Sequence, residues 1–135
     1  MTTFTIDEAE ALSARWEKAW NGHDADAVAA MCADDLVYDE PALAETEHGP
    51  DAIREFVTRM ARAYPDYSFT HMGLYPEVSR RAVLVAWRFT GTFAKTGEVV
   101  EFHGDDRLEL GEDGLIHEYR CLYDNKFVLS QLGNR

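Results

Sequence analysis

The sequence predicts an α+β fold in which three helices precede a long, mostly antiparallel sheet. Up to residue 65, apolar side chains recur three and four positions apart, as they do in amphipathic helices. Beyond that point, stretches rich in Val, Trp and Phe are separated by short turns, as in successive β-hairpins. Hydrophobic residues make up 46% of the 135 positions, enough for one buried core. We therefore expect residues 1–135 to form a single domain in which the helices cover a curved sheet.

Each predicted helix has its own start and stop signals. Residues 5–8, Thr-Ile-Asp-Glu, match a capping box, and the helix that follows would end at Asn21 and Gly22. Asp24 can cap a short second helix. Residues 49–51, Gly-Pro-Asp, begin the third helix with proline in its first turn. The expected buried sides of the three helices are Ala9, Leu12, Trp16, Ala19 and Trp20, then Val28, Ala29 and Cys32, then Ile53, Phe56, Val57 and Met60.

Five strands follow from runs of β-branched and aromatic residues bounded by turn residues. A short strand over 36–40 is stopped by Pro41, and residues 42–48 are expected to form a polar loop. The four longer strands are predicted over 67–75, 82–93, 99–110 and 115–123. The turns between them lie at 79–80, 95–97 and 111–114, so the four strands would form a meander.

Alternation along the strands predicts which side chains face the core. On the strand over 99–110 the even positions are apolar except for Asp106, which is therefore a carboxylate within an apolar stripe. In the short first strand Glu40 shares a face with Leu36 and Tyr38, so it would point inward at the strand end. The other faces predicted to turn inward are Val83, Val85, Trp87, Phe89 and Phe93, and Leu115, His117, Tyr119, Cys121 and Tyr123.

The composition excludes several classes of partner and site. A formal net charge of −12 argues against nucleic acid and anionic membranes, which bind clustered Lys and Arg. We see no leader and no apolar run of about 18 residues, so we expect no membrane segment. Cys32 and Cys121 lie in no motif and are expected to be reduced thiols of a cytoplasmic protein. No metal-ligand spacing or nucleotide fingerprint occurs, so we expect neither a metal nor a cofactor.

Several segments resemble the SnoaL-like and ketosteroid isomerase-like branch of the nuclear transport factor 2-like (NTF2-like) superfamily. They are residues 33–35 (Ala-Asp-Asp), 38–41 (Tyr-Asp-Glu-Pro), 48–56 (His-Gly-Pro-Asp-Ala-Ile-Arg-Glu-Phe), 114–120 (Gly-Leu-Ile-His-Glu-Tyr-Arg), Asp124 and 131–133 (Gln-Leu-Gly). The resemblance covers nearly the whole chain. It implies a cone-shaped barrel around an apolar pocket, and a homodimer. It does not imply one activity, since this fold carries isomerases, cyclases, dehydratases, epoxide hydrolases and binding proteins.

The resemblance also assigns roles to single positions. Glu40 stands where ketosteroid isomerases place their general-base aspartate, and Asp106 where they place a protonated aspartic acid that donates to an oxyanion. Trp16 replaces the tyrosine of that oxyanion hole. Cys121 and Leu108 stand where SnoaL-like cyclases place a catalytic aspartate and histidine. This sequence has Trp87, Phe89 and Cys121 at the positions where epoxide hydrolases of this fold need an arginine and two aspartates.

We therefore predict a cofactor-independent enzyme that moves protons on an apolar small molecule, polycyclic or polyketide-like, as isomerases and cyclases do. Glu40 would be the base, and Asp106 the acid or oxyanion donor. The residues predicted to line the pocket are Trp16, Tyr38, Phe56, His71, Trp87, Phe89, Phe102, His117, Tyr119 and Cys121.

Other interpretations of the same residues stay open. Glu40 could cap a loop, and Asp106 could pair with an arginine or a backbone amide. The same pocket could bind a small molecule without chemistry. A dehydratase that uses His71 or His117 as its base is a third alternative.

Overall fold

The computed structural model describes residues 4–133. Its helices are α1 (Ile6–Asn21), α2 (Ala25–Ala29), α3 (Pro50–Ala63) and α4 (Asn125–Gln131), with a 3-10 turn at Val78–Arg80. Its strands are β1 (Cys32–Asp39), β2 (Glu47–His48), β3 (Ser68–Glu77), β4 (Ala82–Thr92), β5 (Val99–Leu110) and β6 (Ile116–Tyr123). Within the described residues, no helix has both the length and the apolar character needed to cross a bilayer.

The six strands form one curved sheet in the order β2-β1-β6-β5-β4-β3. Every neighbouring pair is antiparallel except β1 and β6, which run parallel. The sheet is open, with β2 and β3 at its edges. The α+β fold with a mostly antiparallel sheet is therefore confirmed. The sheet curves around the core without closing into a full barrel.

The predicted helix starts are present. The Thr5 side chain accepts a hydrogen bond from the Glu8 backbone N–H at 3.1 Å, and the Asp24 side chain caps α2 by accepting from the Ala27 N–H. Pro50 is the first residue of α3. Cys32 is not on α2 as predicted, because β1 already begins there; its buried thiol contacts the Val28 carbonyl.

Two elements were not predicted. Residues 47–48 of the expected polar loop form β2, which pairs with Val37 and Tyr38 of β1. Helix α4 follows β6 and is capped by the Asp124 side chain, so the predicted count of three helices is one short. The helix has seven residues, and Phe127 and Leu129 are about half exposed, so its sequence carries too little periodicity to predict it.

The core lies between the helices and the concave face of the sheet. Along β4 the predicted inner residues Val83, Val85, Trp87 and Phe89 are all buried. Along β5 the register pairs Val85 with Asp106, which places this acid on the same face. Alternation therefore predicted the inner surface of β4 and β5 correctly.

The prediction of the inner face is wrong at the start of β6. Here Ile116 is fully buried, whereas His117 is only partly covered. The cause is an irregularity in the β5–β6 pairing, where Glu109 pairs with Glu118 but Leu110 pairs with Ile116. One extra residue on β6 reverses the alternation, so His117 leaves the inner face while Tyr119 and Cys121 remain on it.

Candidate functional site

Both predicted acids line a cavity between the helices and the concave face of the sheet. The empty space in this cavity is about 450 Å³, which includes some open solvent. The centre of a water molecule can occupy only about 40 Å³ of that space. The cavity is therefore narrow, with room for a compact group rather than a fused ring system. Its lining residues are Trp16, Trp20, Glu40, Phe56, Met60, Phe69, His71, Trp87, Phe102, Asp106, Tyr119, Cys121 and Tyr123.

Asp106 lies on β5 and is 5% exposed. The Trp16 indole N–H donates to its Oδ2 at 2.8 Å, and the Tyr119 hydroxyl donates to its Oδ1 at 3.1 Å. These side-chain partners differ from the arginine or backbone amide considered above. Burial raises the pKa of Asp106, and the hydrogen bonds, that of Trp16 foremost, offset part of this rise. The result is a carboxyl group biased towards its neutral form.

Glu40 follows β1 immediately and is 4% exposed. The Tyr123 hydroxyl lies 2.8 Å from Oε2 and 3.0 Å from Oε1, and the Ala42 backbone N–H also donates to Oε1. Glu40 therefore holds the loop after β1 and lines the cavity as well. Burial raises the pKa of Glu40, the hydrogen bonds from Tyr123 and Ala42 lower it, and the charge of Asp106 raises it further.

A third group that can carry a proton lies on β3. The Ser13 hydroxyl and Nδ1 of His71 are 2.9 Å apart, and the backbone N–H of His71 donates to the Glu17 carboxylate at 2.7 Å. Burial lowers the pKa of His71, and the charge of Glu17 opposes this shift. The imidazole is therefore held neutral, with its Nδ1 engaged by Ser13.

The tryptophans differ in how their indole N–H groups are used. Trp16 donates to Asp106, whereas the buried N–H of Trp20 has no hydrogen-bond partner among the described residues. Trp87 lies close enough to lower the pKa of Asp106, but its N–H does not meet hydrogen-bond geometry with any described residue. Trp20 and Trp87 can therefore donate to a polar atom of a bound molecule.

Three residues predicted for the pocket do not line this cavity. Tyr38 is fully buried behind it, where its ring stacks on Tyr119 at 4.9 Å. Phe89 lines a neighbouring cavity instead. His117, moved outward by the irregular pairing of β6, lies 3.2 Å from Asp35 and 3.1 Å from Asp113. The remaining predicted residues are present in the lining: Trp16, Phe56, His71, Trp87, Phe102, Tyr119 and Cys121.

The neighbouring cavity, which we call the outer cavity, is larger and mainly apolar. About 250 Å³ of this cavity is open to the centre of a water molecule. Its wall includes Val128 and Leu129 of α4, and Arg59 is the charged residue of its lining. It shares four residues with the inner cavity, so the two adjoin: Phe56, Met60, Phe102 and Tyr123.

Four lining residues of the inner cavity were missing from the predicted site, as was Ser13, which supports His71 from outside the lining. Trp20 and Met60 lay on predicted inner helix faces, and Tyr123 on the predicted inner face of β6, so these three had a signal. Phe69 and the supporting residue Ser13 had none. Among residues 4–133, no three His, Cys, Asp or Glu side chains come together as metal ligands would.

The fold and this chain's sequence match known proteins. The family described as the SnoaL-like domain matches residues 13–119. A hypothetical protein with a ketosteroid isomerase-like fold from Catenulispora acidiphila DSM 44928, solved in complex with trimethylamine, has a TM-score of 0.80. It is 20% identical, and the match covers 90% of this chain and 92% of that one.

Two further solved structures are similar. A provisionally named polyketide cyclase from Xanthomonas campestris pv. campestris has a TM-score of 0.81 at 19% identity, covering 93% of this chain and 97% of that one. An LEH-like epoxide hydrolase from M. tuberculosis has a TM-score of 0.74 at 21% identity, covering 93% and 90%. At such identities the likeness shows a shared fold and no shared activity.

Proposed function

This chain belongs to the SnoaL-like domain family, and on that premise we propose that it is a small cofactor-independent enzyme of isomerase or cyclase type. It would move protons on an apolar molecule. The observation that carries the proposal is the pair of buried carboxyl groups, Glu40 and Asp106, in one aromatic cavity. Two carboxyl groups whose pKa values are raised by their surroundings can act as base and acid near neutral pH.

Glu40 is the proposed base. Burial raises its pKa, so its conjugate acid gives up and regains a proton at a pH closer to neutrality. The Tyr123 hydroxyl contacts both of its oxygens and fixes the carboxylate towards the cavity. A base held in this way can remove a proton from carbon and return it at another position of the same molecule.

Asp106 is the proposed acid. The Trp16 indole N–H can only donate, so it keeps Oδ2 an acceptor. A proton on Oδ1 can then be donated to an oxygen that becomes negative during the reaction, as in an enolate. The Tyr119 hydroxyl can accept as well as donate, so it remains a partner of Asp106 in either protonation state.

The two cavities together suit a molecule larger than the inner cavity alone. The reacting part would lie beside Glu40 and Asp106, while the apolar remainder would occupy the outer cavity under α4. A homodimer formed through the outer face of the sheet and a cytoplasmic location complete the proposal. Sedimentation equilibrium measures the first of these two properties.

Proton exchange tests the chemistry without knowledge of the natural substrate. We would incubate the protein in D₂O with a panel of enolisable cyclic ketones and follow exchange at the α carbons by NMR. Glu40→Gln should slow exchange by a factor on the order of 100 or more, as expected on loss of a general base. Asp105→Asn is the matched control, because Asp105 is the neighbour of Asp106 in the chain and lies on the other face of β5. Equal rates for wild type and Glu40→Gln would refute the assigned role.

His71 supports a second candidate function, that of a dehydratase. The observation in its favour is the 2.9 Å contact from Ser13 to Nδ1, which orients a neutral imidazole at the cavity. A His71-dependent reaction would follow a pH profile that disappears in His71→Ala. A profile that persists in that variant would eliminate the dehydratase.

A binding protein without chemistry is the remaining alternative. Leu108, Trp16 and Cys121 support it, since each replaces a reactive residue of a relative. In that case a bound apolar molecule would be recovered unchanged after long incubation, whereas any product would favour the enzyme.

A further inference from the structure

The inner cavity is surrounded by a chain of aromatic rings. Trp20, Phe69, Trp87, Phe102 and Tyr123 follow one another with centroid separations of 5.7, 5.0, 5.7 and 5.1 Å. We call these five residues the aromatic wall. Three of the four contacts are edge-to-face, so neighbouring rings turn their faces in different directions. The faces of aromatic rings carry negative electrostatic potential and attract cations.

The two carboxyl groups inside the aromatic wall have no positively charged hydrogen-bond partner among residues 4–133. Their hydrogen-bond donors are the neutral groups of Trp16, Tyr119, Tyr123 and the Ala42 backbone. No Lys or Arg lines the inner cavity among the described residues. Arg59 lines the outer cavity, and its charge lowers the pKa of Glu40 less than the hydrogen bonds from Tyr123 and Ala42 do.

This arrangement is unusual for a purely structural site. Buried carboxylates are normally paired with a cation, because an uncompensated charge in apolar surroundings is costly. Here four donors are oriented to stabilise negative oxygens, but no Lys or Arg of the described lining balances the charge, so burial biases both acids towards their neutral forms. A bound molecule that carries a positive charge would complete the site.

The size of the inner cavity limits which cation fits. The centre of a water molecule can occupy about 40 Å³ of it. This space suits a compact group of about five heavy atoms, such as a methylated ammonium head. A guanidinium or a hydrated metal ion would seek more oxygen ligands than two separate carboxylates provide. A methylated amine needs few hydrogen bonds and gains from contact with ring faces.

We propose that the inner cavity binds a compact organic cation, a methylated or protonated amine, with its charge between Glu40, Asp106 and the aromatic wall. This goes beyond the proposed proton transfer, because it concerns the charge of the group that enters the cavity and holds whether or not that group reacts.

Cation binding should be linked to proton release. Burial raises the pKa of both acids in the free protein, and a bound cation lowers these pKa values again by stabilising the carboxylates. Affinity should therefore rise with pH until both acids are ionised in the free protein. The other titratable or charged groups that face the acids from β1, β3, β6 and α3 are Tyr38, His71, Tyr119, Cys121, Tyr123 and Arg59.

These groups do not share the expected pH dependence. Burial raises the pKa of the three tyrosines and of the Cys121 thiol well above their ordinary values, so they stay neutral. His71 has a lowered pKa and would repel the cation only on the acid side. The ionisation of Glu40 and Asp106 therefore controls binding above their ordinary pKa values of about 4.

Choline and 3,3-dimethylbutan-1-ol provide the test, because they have the same shape and differ in one atom, a positive nitrogen or a neutral carbon. All 3 tryptophans of the chain line the inner cavity, so intrinsic fluorescence reports on its occupancy. Titrations at pH 8 and fixed ionic strength separate this site from diffuse attraction to a protein of charge −12. We expect choline to bind at least about tenfold more tightly than the alcohol.

Variants locate the charge that is recognised. Glu40→Gln and Asp106→Asn should each weaken choline binding by about tenfold or more and leave binding of the alcohol within about twofold. Asp105→Asn, on the opposite face of β5, should change neither. Equal affinity for the two probes, absence of saturable choline binding, or choline binding that both variants retain would each overturn the proposal.

The wild-type protein gives an independent measure if a variant fails to fold. Calorimetric titration with choline at about pH 6, in two buffers of different ionisation enthalpy, counts the protons released on binding. We expect net release, and affinity that increases towards pH 8. Binding without proton release or pH dependence would overturn the proposal. Because neither probe reacts, these outcomes are independent of ketone exchange, which tests the proposed function separately.

Discussion

The Trp16 indole N–H and the Asp106 carboxylate, 90 positions apart in the chain, are joined by a buried hydrogen bond of 2.8 Å. It connects the middle of α1 with the middle of β5. The bond stabilises the carboxylate form of Asp106 against the effect of burial, and it fixes which oxygen can carry a proton. The helix therefore determines the acid–base properties of a residue on the sheet.

Replacing Trp16 by Phe should raise the pKa of Asp106 further, because the donor that stabilises the carboxylate is lost. The free energy of unfolding should fall by about 1–3 kcal/mol more than in the matched variant Trp20→Phe. Trp20 is the suitable control because both tryptophans are buried, so both variants lose a similar ring area. The Trp20 indole N–H has no partner among the described residues, so only Trp16→Phe loses a hydrogen bond. Carbon-detected NMR gives the pKa, and urea denaturation gives the stability. Equal effects of the two substitutions would contradict the role assigned to the N–H group.

Tyr123→Phe should raise the pKa of Glu40, because the hydroxyl that contacts both carboxylate oxygens is the strongest influence lowering it. NMR titration of the Glu40 side-chain carbon measures the change, with Glu40→Gln to assign the signal. Tyr75→Phe, on the exposed part of β3, is the control. A Glu40 titration curve that is the same in wild type and Tyr123→Phe would show that the hydroxyl does not act on it.

The stability of the protein should depend on pH through Asp106. Its folded-state pKa is raised above the ordinary value of 3.8, so the folded state binds more protons than the unfolded chain above that pH. Its contribution to stability is therefore fully present below about pH 4 and is lost as pH rises through the folded-state pKa. Asp106→Asn removes this dependence while keeping an acceptor for Trp16.

Relative to wild type, Asp106→Asn should gain stability as pH rises above about 4, because it lacks the carboxyl group whose folded-state pKa is raised. Urea denaturation at pH 4, 6 and 8 measures this difference, and Asp105→Asn should show no comparable trend. A constant difference between Asp106→Asn and wild type over this range would argue against a raised pKa.

The imidazole of His71 should titrate below the ordinary value of 6.5, because burial disfavours its charged form. A lowered folded-state pKa means that stability from this group is lost as pH falls below the unfolded value. Nitrogen NMR should also show a changed Nδ1 shift in Ser13→Ala, since Ser13 is the partner of that atom. Ser79→Ala at the turn before β4 is the control, and the exposed His103 serves as an internal reference. An Nδ1 shift that Ser13→Ala leaves unchanged would show that the two groups do not interact.

Much of the fold follows from local patterns. The start of α1 at Thr5, the cap of α2 at Asp24 and the proline at the start of α3 depend on neighbouring residues, so they were predictable. Alternation placed Asp106 and Glu40 on inner faces for the same reason. Helix α4 and the two-residue β2 were missed, because both are too short to show periodicity and depend on packing against distant strands.

The sequence by itself determined the fold class and the inward direction of Glu40 and Asp106, because both depend on spacings within single elements. Only the tertiary structure decided what those acids contact. The 2.8 Å bond from Trp16, the burial of Tyr38 behind Tyr119 and the outward turn of His117 arise from the register between strands and the seating of α1 on the sheet. The spacing of residues within one element does not determine which distant side chains come into contact. Long-range packing therefore decides these contacts and the balance of charge in the cavity.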